Sequence, residues 1–272
     1  MRYLTHFAGI RIVSNFKLFD QSQKYFSKQL KAPSSTIYLI KNARGELKVL
    51  SAISKNKTRE ILKIQTSKNL RPKPFRYMVR YQLLPRILAS QGLWLLHSSA
   101  IVHRKRATLF VGVSGSGKST IAAHLFSRNV RFLSDEVVAI YSKGKNIYAE
   151  SYAQQARSFE KPRNAQERFR SRIDKIKNKM CFTPKLQTTF FKNWPIGQIF
   201  LINLRPKGTD QLNATVRCLL KNTFKPYRKC PSLEFDILSQ AAALIAENKI
   251  SNLKYKKTAK ALRQLGNTFT ER

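Results

Sequence analysis

Short apolar runs separated by polar turns characterise the first part of the chain, and this pattern is typical of β-strands. Residues 36–40 and 46–50 are two such runs, and the polar stretch that joins them contains Gly45, as in a β-hairpin. Residues 56–67 are polar and show no clear periodicity. We therefore predict that residues 1–80 form a small β-rich N-terminal section.

Longer apolar patterns follow, and they alternate between strand and helix. Apolar residues recur at helical spacing over residues 75–90, where Pro85 predicts a kink or break near Leu84 and Gly92 ends the helix. Residues 81–272 are predicted to form one larger α/β domain. Its strands are expected at 93–96, 100–103, 107–113, 137–141 and 199–203, with a turn and a short strand over 142–149, and its helices at 118–128, 214–223, 233–247 and 258–265.

The least patterned part of this larger domain is residues 151–193. Within it, residues 157–179 contain nine basic and three acidic side chains and few apolar ones. This basic segment is interpreted either as a mobile loop or as an exposed helix. Its role is either a lid that docks a substrate or a solvated insertion. For the helix at 214–223, Asp210 and Asn213 are the two candidate caps.

Composition narrows the class of protein. A hydrophobic fraction of 42% in 272 residues is enough for a core and excludes a wholly disordered chain. The 52 basic residues exceed the 14 acidic ones and give a net charge of +38. Such an excess fits an acidic partner, which is nucleic acid, an anionic membrane surface or an acidic protein, or it is solvated surface without a partner.

Cysteine usage and hydropathy indicate the compartment. Cys181, Cys218 and Cys230 are odd in number and lack the spacing of metal ligands or of a C-x-x-C pair. We therefore expect a reduced, cytoplasmic protein. No apolar stretch predicts a secretory signal or a transmembrane span. The sequence leaves open whether the chain forms a homo-oligomer.

The clearest motif is the phosphate loop (residues 112–119), which fits the Walker A pattern G-x-x-x-x-G-K-[ST] at every fixed position. Glycines let backbone N–H groups approach phosphate oxygens, and the following helix adds its positive dipole end. The pattern predicts a nucleoside triphosphate site, with Lys118 on the β- and γ-phosphates and Ser119 on Mg²⁺. The alternative is a glycine-serine turn that precedes a lysine. The predicted nucleotide-binding residues are Gly112, Ser114, Gly115, Ser116, Gly117, Lys118, Ser119 and Thr120.

An acidic pair, Asp135 and Glu136, begins seventeen residues beyond Lys118, after residues 130–134 and before the apolar run at 137–140. One carboxylate at such a place can hold Mg²⁺ or its water, and another can accept the proton of an attacking hydroxyl. The alternative is a turn between helix and strand, where acidic residues are common. The predicted metal ligands are Ser119, Asp135 and Glu136. His97, on an apolar strand, would by itself be read as a core residue.

Three runs together resemble a known family. Residues 96–102, which include His97, then residues 112–120, and then residues 131–136 resemble the C-terminal domain of HPr kinase/phosphorylase and its HPr serine kinase-like relatives. The resemblance covers about residues 82–141 and, more weakly, 195–204 and the helices beyond. It implies a P-loop kinase core of the HPr kinase and phosphoenolpyruvate carboxykinase type, with a mixed sheet and a small β-rich front.

The resemblance also implies an activity. Members of the family transfer phosphate from ATP, with Mg²⁺, to a hydroxyl that is usually a serine of a protein or peptide. The resemblance implies that Lys118 is catalytic as well as nucleotide-binding. It also implies that one member of the acidic pair binds the metal and the other acts as the base, without saying which does which. His97 would lie beside the acidic pair. A small-molecule hydroxyl, or an acidic acceptor, is also open.

Two departures from the family pattern limit this expectation. The second acidic residue is Glu136 where the family usually has Asp, and the arginine- and glycine-rich signature is absent between Tyr141 and Met180. HPr itself as substrate and a reverse phosphorylase reaction are therefore not expected, and relatives in peptide tailoring are the closer comparison. Two rival functions stay open: a nucleic-acid-associated P-loop NTPase, and a nucleotide-binding regulator that has lost catalysis.

Overall fold

The computed structural model divides the chain into two compact units, Met1–Ile87 and Leu88–Arg272. Among the residues it describes, no helix is both long enough and apolar enough to cross a membrane. The described residues are 3–8, 10–16, 18, 35–43, 46–54, 57–65, 72–151, 156–158, 169–174, 179–184, 192–204, 210–227 and 230–270.

The N-terminal unit contains one five-stranded sheet in the order β1-β2-β3-β4-β5. Its inner face alternates along the strands, so that Ile37 and Leu39 of β3 and Leu47 and Val49 of β4 are fully buried. The predicted hairpin and the small β-rich section are therefore confirmed. The five strands are Tyr3–Phe7 (β1), Ile10–Ser14 (β2), Ser35–Lys41 (β3), Glu46–Ser54 (β4) and Lys57–Gln65 (β5).

Strand β5 lies within residues 56–67, for which the sequence indicated no regular structure. It lies at one edge of the described sheet, where β4 is its neighbour. Charged side chains are common on edge strands because they discourage pairing with other chains. Lys63 forms an ion pair with Glu46 of β4 at 2.7 Å. The polar composition that hid this strand is therefore a property of its edge position.

A distorted helical segment follows, in three parts: Pro72–Met78 (α1), a π-helical turn at Val79–Leu83, and Leu84–Ala89 (α2). The Leu84 N–H donates to the Val79 carbonyl, so the turn before Pro85 contains one residue more than an α-helical turn. The predicted break near Leu84 is thus present, as a π-helical turn that ends at Leu83. Gly92, with φ of 86°, follows the end of the helix as predicted.

The C-terminal unit is built on a curled, mixed, eight-stranded sheet in the order β6-β10-β11-β15-β8-β7-β9, with β16 beside β15. The chain is therefore a mixed α/β protein, as the sequence predicts. The strands are Trp94–Leu96 (β6), Ser99–His103 (β7), Arg106–Val111 (β8), Arg131–Ser134 (β9), Val138–Lys143 (β10), Asn146–Glu150 (β11), Ala156–Ser158 (β12), Phe169–Asp174 (β13), Lys179–Pro184 (β14), Trp194–Ile202 (β15) and Ile250–Leu253 (β16).

Helices cover both faces of this sheet. Successive residues of a strand face opposite sides, so neighbouring apolar residues pack against helices on different faces. Leu109 and Val111 of β8 belong to one core cluster, and Phe110 between them belongs to the other. Helices α4 and α5 pack in the first cluster, and α3 and α6 pack in the second. The four helices are Lys118–Ser127 (α3), Gln211–Lys221 (α4), Pro231–Ala246 (α5) and Ala259–Thr270 (α6).

The basic segment contradicts both of its predicted forms where it is described. Strands β12, β14 and β13 form a separate three-stranded sheet in that order, so the described parts are neither loop nor helix. The error arises because antiparallel pairing between distant strands is set by partners that local periodicity does not show. Strand β12 lies against α3.

Other predicted bounds are corrected by a few residues. Strand β15 begins at Trp194, five positions before the predicted 199, and α6 continues to Thr270, beyond the predicted 265. Strands β9 and β16 were not predicted. Of the two candidate caps of α4, Asp210 is the one used, and its side chain accepts from the Asn213 N–H at 3.2 Å.

Candidate functional site

Four strands of the large sheet end at the same edge. Strands β8 and β9 are both antiparallel to β7, so they are parallel to each other. Strands β15 and β16 are parallel to β8 in turn. The residues that follow Val111, Ser134, Ile202 and Leu253 therefore gather at one edge. In α/β proteins ligands bind outside the carboxyl ends of such strands.

The phosphate loop follows β8 at this edge and turns into α3, so the predicted strand–turn–helix is confirmed. Gly115 and Gly117 have φ of 80° and 106°, which side chains rarely tolerate. A Cβ on Gly112 would lie 2.9 Å from the Ser116 Oγ and 3.3 Å from the Ile202 carbonyl oxygen. The Ser116 N–H closes the turn onto the Val113 carbonyl at 3.1 Å. The glycines are therefore required by the shape of the loop.

Lys118, the first residue of α3, places its charge inside the loop. Its Nζ donates to the Gly112 carbonyl at 2.7 Å and to the Val113 carbonyl at 3.2 Å, and the residue is 7% exposed. A buried ammonium is tolerated because oxygens surround it. A bound phosphate would add its own oxygens to these two carbonyl oxygens as acceptors of the lysine.

The remaining loop side chains divide into exposed and half-buried groups. Ser114 and Gly115 are exposed, and Ser119 and Thr120 are half-buried in the first turn of α3. Ser116 is buried, and its Oγ has no hydrogen-bond partner among the described residues. A buried hydroxyl without a partner is unfavourable by about 1–3 kcal/mol. The loop thus carries a polar group that a ligand with acceptor oxygens would satisfy.

The acidic pair follows β9, and its first member is buried. Asp135 is 3% exposed, and the Ser99 Oγ donates to its Oδ1 at 2.5 Å. The ladders β6–β10 and β7–β9 explain this contact, since Leu96↔Val138 and Ala100↔Ser134 share one register. Ser99 thus lies opposite Asp135 where the ladder is interrupted. No role was predicted for Ser99, because only the register of the two ladders brings it to Asp135.

Glu136 and His97 form the second contact across the same interruption. The His97 Nε2 lies 3.4 Å from the Glu136 Oε2, and the two side chains are 38% and 20% exposed. The His97 N–H donates to the Asn222 carbonyl at 2.7 Å, and its ring meets the Phe224 ring edge-on at 6.1 Å. His97 is therefore an anchored, solvent-facing residue rather than a core histidine.

The predicted site residues thus fall into two groups at one edge of the sheet. The phosphate loop with Lys118, Ser119 and Thr120 follows β8, and His97 and the acidic pair flank the neighbouring β7. Strands β8 and β9 are two strand spacings apart, roughly 10 Å. Within the described residues, no three histidine, cysteine, aspartate or glutamate side chains gather in the manner of a metal site. A Mg²⁺ shared with phosphates needs fewer protein ligands.

Asn203 and Tyr255, which sequence reasoning missed, support the loop from the ends of β15 and β16. The Asn203 Nδ2 donates to the Tyr255 carbonyl at 2.8 Å, and the Tyr255 N–H donates to the Asn203 Oδ1 at 2.7 Å. The Tyr255 ring packs on Gly117, where an added Cβ would lie 2.7 Å from its Cε1. These contacts join segments that are far apart in sequence, so no local pattern indicated them.

The pKa values of a thiol on α4 and a phenol on β10 are shifted from their ordinary values. Burial raises the pKa of the Cys218 thiol on α4, while the charges of Lys118 and Lys221 act in the opposite direction. Cys218 is therefore within electrostatic reach of the loop lysine. Burial also raises the pKa of Tyr141, reinforced by Glu150, which accepts a hydrogen bond from the phenol at 2.9 Å. Tyr141 is thus a proton donor in a structural pair.

Asn203→Gly is expected to weaken nucleotide binding by about tenfold, because two hydrogen bonds of roughly 0.5–1.5 kcal/mol each are lost from the support of the loop. Glycine keeps the backbone freedom that the φ of 53° at Asn203 requires. Asn248→Gly is the matched control, since Asn248 has φ of 54° at the end of α5. Titration calorimetry with ATP measures both. Equal affinities for the two variants would exclude the supporting role.

Comparisons with known proteins give little further information. The sequence matches no model of a protein family, and no curated protein matches it. A solved structure with detectable likeness is that of the HPr(Ser) kinase/phosphatase from Coxiella burnetii. It is 15% identical, over 42% of this chain and 71% of that chain, with a TM-score of 0.30.

Proposed function

We propose that the protein is an ATP- and Mg²⁺-dependent phosphotransferase of the HPr serine kinase-like type, which phosphorylates a hydroxyl, in the first place a serine, of a protein or peptide. One observation carries the proposal: the phosphate loop, with Lys118 held inside it, lies at the same edge of the sheet as His97 and the acidic pair. A loop for phosphates beside carboxylates is the arrangement that phosphoryl transfer requires.

The loop residues fit a triphosphate. Open space surrounds Gly115, where an added Cβ would meet no atom within 4 Å, so a phosphate oxygen can approach the backbone there. Gly112 and Gly117 let the loop curl closely against Ile202 and Tyr255, and Ser116 offers a buried hydroxyl with no partner among the described residues. The first N–H groups of α3 have no acceptor within the helix, since the Ile121 N–H makes its first bond, to the Gly117 carbonyl. Lys118 supplies the positive charge for the β- and γ-phosphates.

The residues also fit Mg²⁺, which prefers oxygen ligands. Ser119 supplies a hydroxyl at the start of α3, and the acidic pair supplies carboxylates. When bound, the metal would neutralise charge on the phosphates. Asp135 is the better metal-side residue because it is buried and its orientation is fixed by Ser99.

Glu136 is then the residue that accepts the proton of the attacking hydroxyl. Its side chain is more exposed than that of Asp135, so an acceptor arriving from solvent can reach it. His97 orients this carboxylate through the 3.4 Å contact and is itself held by the Asn222 carbonyl. Lys118 holds the transferred phosphate in place, and most of the catalysis comes from such positioning and charge stabilisation.

The experiment that tests the proposal combines the full chain with ATP labelled in the γ-phosphate, Mg²⁺ and a library of serine-containing peptides of acidic, neutral and basic composition. We expect Mg²⁺-dependent transfer of label to a serine, located by mass spectrometry and abolished by EDTA. ATP binding without transfer to any protein, peptide or small hydroxyl compound would favour the catalytically impaired regulator.

The nucleic-acid-associated NTPase is the second candidate, and the net charge of +38 favours it. In that case RNA or DNA should stimulate ATP hydrolysis, and binding should fall steeply with salt because each neutralised phosphate releases counterions. If polynucleotide neither binds at 0.15 M salt nor changes hydrolysis, the excess charge serves another purpose.

A further inference from the structure

The chain that leaves α4 runs directly beside His97, in a flanking segment made of residues 221–225. The His97 N–H donates to the Asn222 carbonyl at 2.7 Å, and the Phe224 N–H donates to the Leu95 carbonyl at 2.8 Å. The backbone of the flanking segment is therefore bonded to the chain on both sides of the end of β6, next to the contact between the histidine and the proposed base.

Thr223, in the middle of the flanking segment, fixes its position further. It forms an antiparallel bridge with Leu96 of β6. The Trp94 Nε1 donates to the Thr223 Oγ1 at 3.0 Å, and that hydroxyl donates to the Leu219 carbonyl of α4 at 3.0 Å. The flanking segment is thus held by both β6 and α4, and its side chains keep one place relative to His97.

The flanking segment carries positive charge at both of its ends. Lys221, the last residue of α4, and Lys225 are both exposed. Asn222 and Phe224 lie between them, and the Phe224 ring meets the His97 ring edge-on at 6.1 Å. The two lysines thus adjoin the two residues that contact His97, one on each side. The sequence around them is basic as well, since residues 211–233 contain five basic and no acidic side chains.

The charge of Lys221 also acts near the phosphate loop. Burial raises the pKa of the Cys218 thiol, and the charges of Lys118 and Lys221 both act in the opposite direction. Both lysines are therefore within electrostatic reach of one thiol on α4. Bound phosphates would neutralise the charge of Lys118, whereas Lys221 and Lys225 would remain to attract a second anion.

An acceptor that approaches Glu136 meets opposing electric fields. The net charge of +38 attracts acidic and repels basic molecules from a distance. At the point of transfer, the acidic pair and the triphosphate repel carboxylates. Because an extended peptide advances about 3.3 Å per residue, carboxylates two or three residues from the acceptor serine lie roughly 7–10 Å away from that point. Lysines beside the site can bind them there.

We propose that the flanking segment binds an acidic acceptor, a serine-containing peptide segment whose carboxylates, two or three residues from the serine, contact Lys221 and Lys225. The inference rests on the proposed function and names the class of substrate for that site. The two lysines bind the acceptor and take no part in the transfer of phosphate.

Phosphate transfer by the full chain to two matched peptides tests the proposal. Each peptide contains one serine, whose second and third neighbours on both sides are glutamates in one peptide and glutamines in the other. With ATP and Mg²⁺ at about 0.15 M salt, the glutamate peptide should have a KM at least about fivefold lower, as expected for several exposed ion pairs. The difference should shrink at about 0.5 M salt, because exposed charges are screened.

Reversing the charge of the flanking segment should reverse this preference. Lys221→Glu with Lys225→Glu should raise the KM of the glutamate peptide by about tenfold and lower that of a third peptide with lysines at the same positions. The affinity for ATP, measured by calorimetry, should stay within a few-fold. Lys221→Arg with Lys225→Arg keeps both charges and should keep the original KM.

Lys143→Glu with Lys145→Glu is the matched control, because it reverses two exposed charges away from the site. These lysines lie on the β10–β11 hairpin, and Lys143 is roughly 17 Å along β10 from Val138. The control should change the KM of the glutamate peptide by less than about twofold. Thermal unfolding verifies that each variant is folded.

The inference is overturned, and the kinase assignment stands, if the glutamate and glutamine peptides are phosphorylated with equal KM. The same holds if the reversal at Lys143 and Lys145 has as large an effect as the reversal in the flanking segment. Absence of transfer to any peptide contradicts the proposed function instead, and fluorescence anisotropy of the labelled glutamate peptide then tests the flanking segment alone. Binding that Lys221→Glu with Lys225→Glu abolishes supports the inference. No binding, or binding of RNA rather than of the peptide through these lysines, overturns it.

Discussion

Lys118→Ala is expected to abolish ATP binding and turnover. In the structure its Nζ lies inside the loop and donates to the Gly112 and Val113 carbonyls. Alanine removes the only charge that the loop itself supplies to a phosphate. A hydrogen bond to a charged group is worth about 1.5–3 kcal/mol. The loss of two such bonds from the lysine to phosphate oxygens lowers the affinity for ATP by at least about a hundredfold. Titration calorimetry with ATP measures binding, and release of labelled phosphate measures turnover.

Lys254→Ala is the control for this experiment. Lys254 is an exposed lysine directly after β16, at the same edge of the sheet. Its substitution by alanine removes the same charge and leaves the loop unchanged. Its affinity for ATP should change by no more than a few-fold, as is typical of an exposed charge. If Lys118→Ala bound ATP as well as Lys254→Ala does, the loop would not be a nucleotide site.

Asp135→Asn is expected to leave ATP binding within a few-fold and to reduce phosphate transfer by about 10²–10⁴, the usual range for a lost catalytic group. Asparagine has nearly the same shape, and its Oδ1 can still accept the hydrogen bond from Ser99. The negative charge for the metal is lost, whereas the loop is unchanged. Calorimetry gives the affinity, and single-turnover transfer of labelled phosphate gives the rate.

Glu150→Gln is the matched control for Asp135→Asn, since it also converts a buried carboxylate into an amide. Glu150 is 6% exposed, pairs with Ala139 in the β10–β11 ladder and accepts the Tyr141 hydroxyl at 2.9 Å. It should transfer phosphate at the original rate. Undiminished transfer by Asp135→Asn, with Glu150→Gln equally active, would remove Asp135 from the mechanism.

The parts of the site that the sequence predicted are the contiguous ones. The phosphate loop and the strand and helix on either side of it are contiguous in residues 106–127, so its strand–turn–helix form is visible in the sequence without the distant residues that support it. The acidic pair was found for a similar reason, because it comes directly before the apolar run at 137–140 and lies close to the phosphate loop in the sequence. Local chemistry and local structure coincide at both places.

The parts that were missed depend on pairing between distant segments. Ser99 meets Asp135 only because two ladders share a register, and Tyr255 reaches Gly117 only because β15 and β16 end together. The strands of the basic segment were missed for the same reason, since their charged composition favours solvent and only their partners make them strands. The periodicity of one strand does not show which distant strand it pairs with.

The two carbonyl bonds of Lys118 have a consequence for the entropy that is lost when a ligand binds. They fasten the loop in its curled form before any phosphate arrives. The conformational entropy of ordering these residues is therefore lost when the chain folds and does not have to be lost again on association. A triphosphate would meet a preorganised loop, and its oxygens would join the two carbonyls as acceptors of the lysine.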